Sequence, residues 1–152
     1  DGGEDPLFIA RRLCISAAED IGLANPNALL IADACFRICH NIGMPEARIP
    51  LSECTIYLAS SPKSNSAYMA IGAALNEVSK NNTAAVPLYL RNAPTSLMKN
   101  LGYGQNYLYA HDFPGHFVDQ EFMPFYEPVE NRHENNLKAY LQACWPKYYP
   151  KK

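Results

Sequence analysis

Residues whose chemistry could bind a metal or attack a substrate fall in two short groups. Cys35, Cys39 and His40 form the first group, and His111 with His116 forms the second. A structural zinc site needs four ligands in a closed shell, whereas the first group supplies two thiols on one helix face. A nucleophilic cysteine needs an exposed position and neighbouring groups that lower its pKa. The apolar sequence around Cys39 indicates neither. We therefore interpret the cysteines as reduced core thiols and His111 as a structural histidine.

Fragments of two nucleotide-binding motifs are also present. Lys63-Ser64 matches the end of a phosphate-binding loop, but Tyr57 and Pro62 occupy the positions of its glycines. Gly102-Tyr103-Gly104 begins like a dinucleotide fingerprint, yet the third glycine of that pattern is absent and no strand precedes it. The sequence therefore predicts no catalytic residue in this chain and no ATP, metal ion or other cofactor bound to it.

A group of hydrogen-bond donors lies just before a predicted helix. Arg91 and Asn92 precede its start, and Lys99 follows about one turn inside it. Helix starts favour anions, so these donors, with Lys63, are candidates for phosphate contacts while tyrosines such as Tyr103 stack on bases. The other interpretation, which we favour, is that Arg91 and Asn92 hold a long aromatic loop against the helical body.

Composition sets limits on partners. The 152 residues carry a net charge of −2, so no overall positive field attracts nucleic acid. Hydrophobic residues make up 48% and charged residues 18%, which is typical of a folded chain with partner-covered surface. Five cysteines are an odd number and favour reduced thiols. No apolar run is long enough to span a membrane, and we expect a cytoplasmic protein.

These residues must be positioned by helices, because helix start and stop signals recur and strand alternation is nearly absent. In the first half of the chain the signals predict four helices: one from Asp5-Pro6 to Gly22, a central one from Asn25-Pro26 to Gly43 with two apolar stripes, a short one opened by Pro50, and one capped by Ser64 or Asn65 and ended by Asn81-Asn82. An extended connector over Val86–Leu90 and a helix of about two turns from Pro94 to Leu101 follow. The chain then continues as an aromatic loop over residues 103–128 and a last helix from Asn131 or Asn135 to Trp145.

Several strings of the chain resemble the C-terminal region of the RarA/MgsA family of replication-associated recombination AAA+ ATPases, relatives of the Werner-helicase-interacting ATPase. The strings occur in order along nearly the whole chain: EDPLFIARRL at 4–13, AEDIGLA at 18–24, PKSN at 62–65, LRNAPT at 90–95, LGYG at 101–104, YAHD at 109–112 and FYEP at 125–128. The sequence departs from the family pattern over residues 114–122 and from Glu130 onward.

The resemblance implies an all-α domain similar to the post-AAA+ oligomerisation domain of clamp loaders, with the long aromatic loop added. It divides the chain into residues 1–24, the end of a helical lid or linker, and residues 25–152, the oligomerisation domain. It also implies homotetramers, an AAA+ core outside this fragment that binds ATP and magnesium, association with the nucleoid and replication forks, and DNA ends, forks and single-stranded-DNA-binding protein as partners of the full-length protein.

Three hypotheses about function follow. The first is a non-enzymatic oligomerisation and interaction domain of a DNA-dependent ATPase that acts in replication, recombination and repair at stalled forks. The second is a module of the same ATPase that contacts single-stranded DNA through Lys63, Arg91 and Lys99. The third, which the sequence favours least, is a separate hydrolase or metalloenzyme that uses Cys39, His40 or His111.

Overall fold

The structure, a computed structural model, describes residues 2–80, 85–113 and 124–151. Across these ranges the regular secondary structure is helical, and no strand is present, which confirms the all-α prediction. The six α-helices are α1 Pro6–Ser16, α2 Asn27–Ile42, α3 Arg48–Ala59, α4 Ser66–Lys80, α5 Ser96–Asn100 and α6 Arg132–Cys144.

Helices α1, α2 and α3 pack against one another and form a body with a core of small side chains. Most of the buried hydrophobic residues are alanine or cysteine, joined by two larger aliphatic side chains: Ala10, Ala17, Ile21, Ala24, Ala28, Ala32, Cys35, Cys39, Ala47, Cys54 and Leu58. Small side chains let helix axes approach closely, because interaxial distance depends on the residues at the contact. The larger apolar residues of this body therefore lie mainly at its margin or on its surface.

The first helix begins as its sequence predicts, but its α-helical part ends at Ser16, before the predicted stop at Gly22. Asp5 caps α1 by accepting a hydrogen bond from the amide of Leu7, and Pro6 occupies a first-turn position. After α1 a π-turn over Ala17–Ile21 leads into a 3₁₀ turn over Gly22–Ala24. Some of the first 24 residues therefore lie in the same core as residues of α2 and α3. The division of the chain at residue 24 stays a prediction.

The two apolar stripes predicted for α2 are not equally buried. Cys35 of the first stripe is in the core, whereas Ile38 and Ile42 of that stripe are 44% and 48% exposed. The second stripe, which includes Ala32 and Cys39, faces α1 and α3. The expectation that α2 is covered on two sides is therefore wrong for its last turns, because no element of the described chain covers that face.

The third helix starts at Arg48, two residues before the predicted opening at Pro50. Pro50 lies in the first turn, where the amide that proline lacks has no intrahelical partner. The side-chain amide of Asn25 donates a hydrogen bond of 2.9 Å to the Tyr57 hydroxyl, which ties the start of α2 to α3. Asn25 thus stabilises packing between helices, and its role differs from the helix start signal inferred from the sequence.

Residues 85–113 form a smaller helical segment. The predicted extended connector instead contains a 3₁₀ turn over Leu88–Leu90, because the Arg91 amide bonds back to the Leu88 carbonyl. Thr95 caps α5 by accepting from the amide of Met98. Within the predicted aromatic loop, a 3₁₀ turn covers Ala110–Asp112, whereas residues 114–123, with His116, lie outside the described residues.

The last helix is capped by Asn131, whose side chain accepts a hydrogen bond from the amide of Glu134. One of the two predicted starts of α6 is therefore correct. In the ranges that the structure describes, no helix is long and apolar enough to cross a membrane.

Candidate interaction site

Helix α4 presents its large apolar side chains to solvent. Tyr68, Ile71, Leu75 and Val78 recur at helical spacing, and we call them the α4 row. Their exposed fractions are 56%, 57%, 63% and 61%. A helix on the surface of a globular protein turns its apolar stripe towards the core. The α4 row does the opposite, so within the described ranges this apolar face is left uncovered.

The less exposed side of α4 carries smaller or more polar residues. Ser66 is buried, and Ala70, Ala74 and Glu77 are half-buried. Between Ser66 and Val78 the charged residue is Glu77, which lies on this side of the helix and not in the α4 row. The exposed face therefore carries no charge that would favour water over an apolar partner.

A buried carboxylate lies where α6 and the residues before it meet the start of α4. Glu134 has no solvent-exposed surface. Its carboxylate accepts hydrogen bonds from the Tyr126 hydroxyl at 2.8 Å, the Val129 amide at 3.1 Å and the Asn131 side-chain amide at 2.8 Å. The Ser64 and Ser66 hydroxyls lie close enough to the carboxylate to lower its pKa. We call Glu134 with these two serines the Glu134 cluster.

The hydrogen bonds of Glu134 decide its ionisation. Burial alone raises the pKa of the carboxyl, but the polar groups of Ser64, Asn131, Ser66 and Tyr126 outweigh burial and lower the pKa to about 2. Burial, together with the hydrogen bond to Glu134, raises the pKa of the Tyr126 phenol. Glu134 is therefore a carboxylate and Tyr126 a neutral donor throughout the physiological pH range.

Glu134 is not among the site residues predicted from the sequence. The pattern Asn131-x-x-Glu134 resembles a capping box, in which the residue at the helix start and the residue three places later bond reciprocally. That signal was available for the local contact. The pattern does not indicate that Glu134 is buried, or that it lies near two serines about 70 residues away in sequence.

Arg91 and Tyr103, two of the predicted site residues, contact each other. The Arg91 guanidinium donates a hydrogen bond of 3.2 Å to the Tyr103 hydroxyl and lies 5.2 Å from the centre of its ring. It also donates a bond of 2.6 Å to the Val86 carbonyl. The Gly104 amide adds a bond of 2.8 Å to the Leu88 carbonyl. Arg91 therefore joins the two ends of segment 85–104.

The remaining predicted site residues are dispersed. Asn92, Lys63 and Lys99 are exposed, and no described hydrogen bond or ion pair joins either lysine to Arg91. The ring of His111 lies 4.9 Å from that of Tyr109. The structure thus brings Arg91 and Tyr103 together and does not assemble the six candidates into one site.

The core cysteines have the character of protonated thiols. The sulfurs of Cys35 and Cys39 are 3.9 Å apart, and the two thiols donate to the carbonyls of Pro50 and Ala47. Burial, followed by the neighbouring thiols, raises the pKa of Cys35 to about 12, and burial raises the pKa of Cys54. A raised pKa disfavours the thiolate that a nucleophile or metal ligand requires. Among the described residues, no group of three or more potential ligands could hold a metal ion.

Comparison with known proteins adds relatives over most of the chain. A family described as MgsA AAA+ ATPase C terminal matches residues 1–145. Replication-associated recombination protein A from Coxiella burnetii is 40% identical over 150 residues, which cover 93% of this chain and 34% of that protein. The protein of the same name from Escherichia coli K12 is 46% identical over 110 residues, which cover 72% and 25%.

A eukaryotic relative is also present. ATPase WRNIP1 from Dictyostelium discoideum is 41% identical over 132 residues, which cover 86% of this chain and 15% of that protein. The chain therefore spans about a third or less of the length of these three relatives. The match over residues 1–145 and these identities show that the chain belongs to the family of MgsA AAA+ ATPase C-terminal domains.

Proposed function

We propose that this chain is a non-catalytic self-association domain that assembles a replication- and recombination-associated AAA+ ATPase into homotetramers. ATP and magnesium then bind to an AAA+ core in another part of the protein, and DNA ends, forks and single-stranded-DNA-binding protein are partners of the whole assembly at the replication fork. The names of the relatives and the small share of their length that this chain covers support that division.

The observation that carries the proposal is the exposed α4 row. Fully burying a large aliphatic or aromatic side chain stabilises a protein by about 1.5–3 kcal/mol, so half-exposed residues forgo about half of that each. A second copy presents the same uncharged face, and an isologous contact between the two faces meets no repulsion between like charges. Self-association thus recovers free energy that the isolated chain leaves unused.

The α4 row alone covers less area than a stable interface needs. Specific complexes bury about 800 Å² on each partner, which exceeds the exposed area of four half-buried side chains. Further apolar residues are available outside α4, with Leu88, Leu97 and Leu101 exposed by 48%, 66% and 56%. Two kinds of apolar surface on each chain are compatible with a tetramer, in which each copy contacts more than one neighbour.

Contact with single-stranded DNA is the second candidate function. The rings of Tyr107 and Tyr109 are each 54% exposed, and exposed aromatic rings provide stacking surfaces for bases. Segment 85–113 offers Arg91 and Lys99 for phosphates, although Arg91 is engaged with Tyr103. The net charge of −2 makes this candidate weaker than self-association. Salt-dependent binding of single-stranded DNA by the isolated chain would favour it.

Light scattering on the isolated chain tests the main proposal. We expect a mass about four times the 16.9 kDa of one chain at micromolar concentration, whereas a single-chain mass would overturn the proposal. Ile71→Lys should reduce the mass, because it places a charge in the α4 row. Met69→Lys is the matched control, since Met69 is 58% exposed on the same helix but lies outside the row.

A further inference from the structure

The direction of α4 is set at its first turn. Among the described elements, α4 makes its main contacts with the turns Ala17–Ile21 and Gly22–Ala24. Ser66 is buried, whereas every later residue of α4 is half-buried or exposed. Packing along the length of the helix therefore does little to fix its angle to the body, and the contacts around Ser66 carry that role.

Those contacts connect the start of α4 to the turn after α1. The Ser64 amide donates a hydrogen bond of 2.9 Å to the Asp20 carbonyl. The Ser64 hydroxyl accepts from the Ser66 amide at 3.3 Å and lies 3.0 Å from the Ser66 hydroxyl. A Cβ atom on Gly22 would lie 2.6 Å from the Ser64 carbonyl oxygen, so only glycine permits this approach. The two segments are in direct backbone contact.

Glu134 completes the attachment from the far end of the chain. Its carboxylate lies beside the hydroxyls of both serines, at the amino end of α4, where the helix dipole favours a negative charge. On its other side it holds Tyr126, Val129 and Asn131. Glu134 lies outside the hydrophobic core cluster of α1–α3.

We infer that the buried Glu134 cluster is a joint that fixes the direction in which α4 leaves the body, and thereby sets the geometry of the α4 row. A buried carboxylate that accepts hydrogen bonds from three donors cannot shift without leaving some of them unpaired. The joint therefore has one favoured arrangement. This inference rests on the proposed self-association, because the α4 row is the surface that the joint positions.

Sedimentation velocity over a concentration series tests the joint. Glu134→Gln keeps the size of the side chain but replaces one acceptor oxygen with an NH₂ donor that faces other donors. We expect its self-association to weaken by about tenfold or more, within the range of typical coupling between sites. The matched control is Leu58→Ala, which destabilises the α1–α3 core without touching the cluster. An equal loss of self-association in both variants would overturn the inference.

Hydrogen exchange separates failure of the joint from failure of the proposed function. The comparison is made in the Ile71→Lys background, so that assembly does not protect α4. Glu134→Gln should speed exchange of the amides over residues 69–71 by about tenfold or more and leave exchange in α2 and α3 unchanged. If the wild-type chain is monomeric, the proposed function fails, but the hydrogen-exchange comparison still shows whether Glu134 fixes the start of α4. Unchanged exchange in α4, or an equal rise in all helices, would refute it.

Discussion

Glu134→Ala removes an acceptor that three hydrogen bonds of 2.8–3.1 Å share in a site without solvent access. Its donors, among them the Val129 amide and the Tyr126 hydroxyl, would lose their acceptor. Breaking one side of a buried charged network costs about 3–5 kcal/mol of unfolding free energy. We expect a loss of that size at pH 7. Glu130→Ala, at an exposed position of the same segment, should change stability by less than about 0.5 kcal/mol.

The lowered pKa of Glu134 gives a second value for its contribution to the free energy of unfolding. The carboxyl titrates at about 2 in the folded chain, against 4.5 as its ordinary value. The group therefore contributes stability that is complete above about pH 4.5 and is lost as the pH falls towards 2. At about 1.4 kcal/mol for each unit of pKa difference, this contribution is about 3 kcal/mol.

Urea unfolding at fixed protein concentration measures both effects, with fluorescence of Trp145 and circular dichroism as probes. The wild-type chain should lose stability between pH 4.5 and pH 2.5 in excess of Glu134→Gln. If Glu134→Ala costs no more than Glu130→Ala, or if the wild type and Glu134→Gln show the same pH dependence, Glu134 is not the buried acceptor described above.

Three further outcomes are expected. Arg91→Ala should lower stability by about 1–3 kcal/mol and leave any weak single-stranded-DNA binding unchanged; intact stability with lost DNA affinity would assign Arg91 to phosphate binding. Gly22→Ala should cost at least about 2 kcal/mol, because φ is +47° and the added Cβ meets backbone, while Gly2→Ala, in open space, should be neutral in thermal unfolding. In native protein at pH 8, a thiol reagent should label Cys144 well before buried Cys54; equal rates would contradict the raised pKa of Cys54.

The helices were predictable because their ends depend on local chemistry. Asp5, Thr95 and Asn131 each accept a hydrogen bond from an amide of the helix that they begin, and short-range sequence signals carry that information. The segment Val86–Leu90 was misassigned as extended. The Arg91 amide closes its 3₁₀ turn on the Leu88 carbonyl, and the Gly104 amide bonds to the same carbonyl across 16 residues, a contact that no local pattern reveals.

The interaction site was only partly predictable, for a different reason. Hydrophobic spacing identifies the α4 row as an apolar face but does not reveal whether the same chain covers it. The same ambiguity explains why Ile38 and Ile42 of α2 were expected to be buried. Glu134 required knowledge of which distant residues meet at the start of α4, and hydroxyl groups such as Ser64 carry no periodic signal.

The small side chains at the centre of α1–α3 have a consequence for how folding responds to dilution. Alanine and cysteine bury little apolar area per residue, so this interior supplies a modest share of the free energy of folding. If assembly supplies the remainder, folding and association are thermodynamically linked, and the midpoint of thermal unfolding should rise with protein concentration. In that case a higher concentration of the chain favours the folded, assembled state. The monomer is then the species that unfolds and is cleaved by proteases most readily.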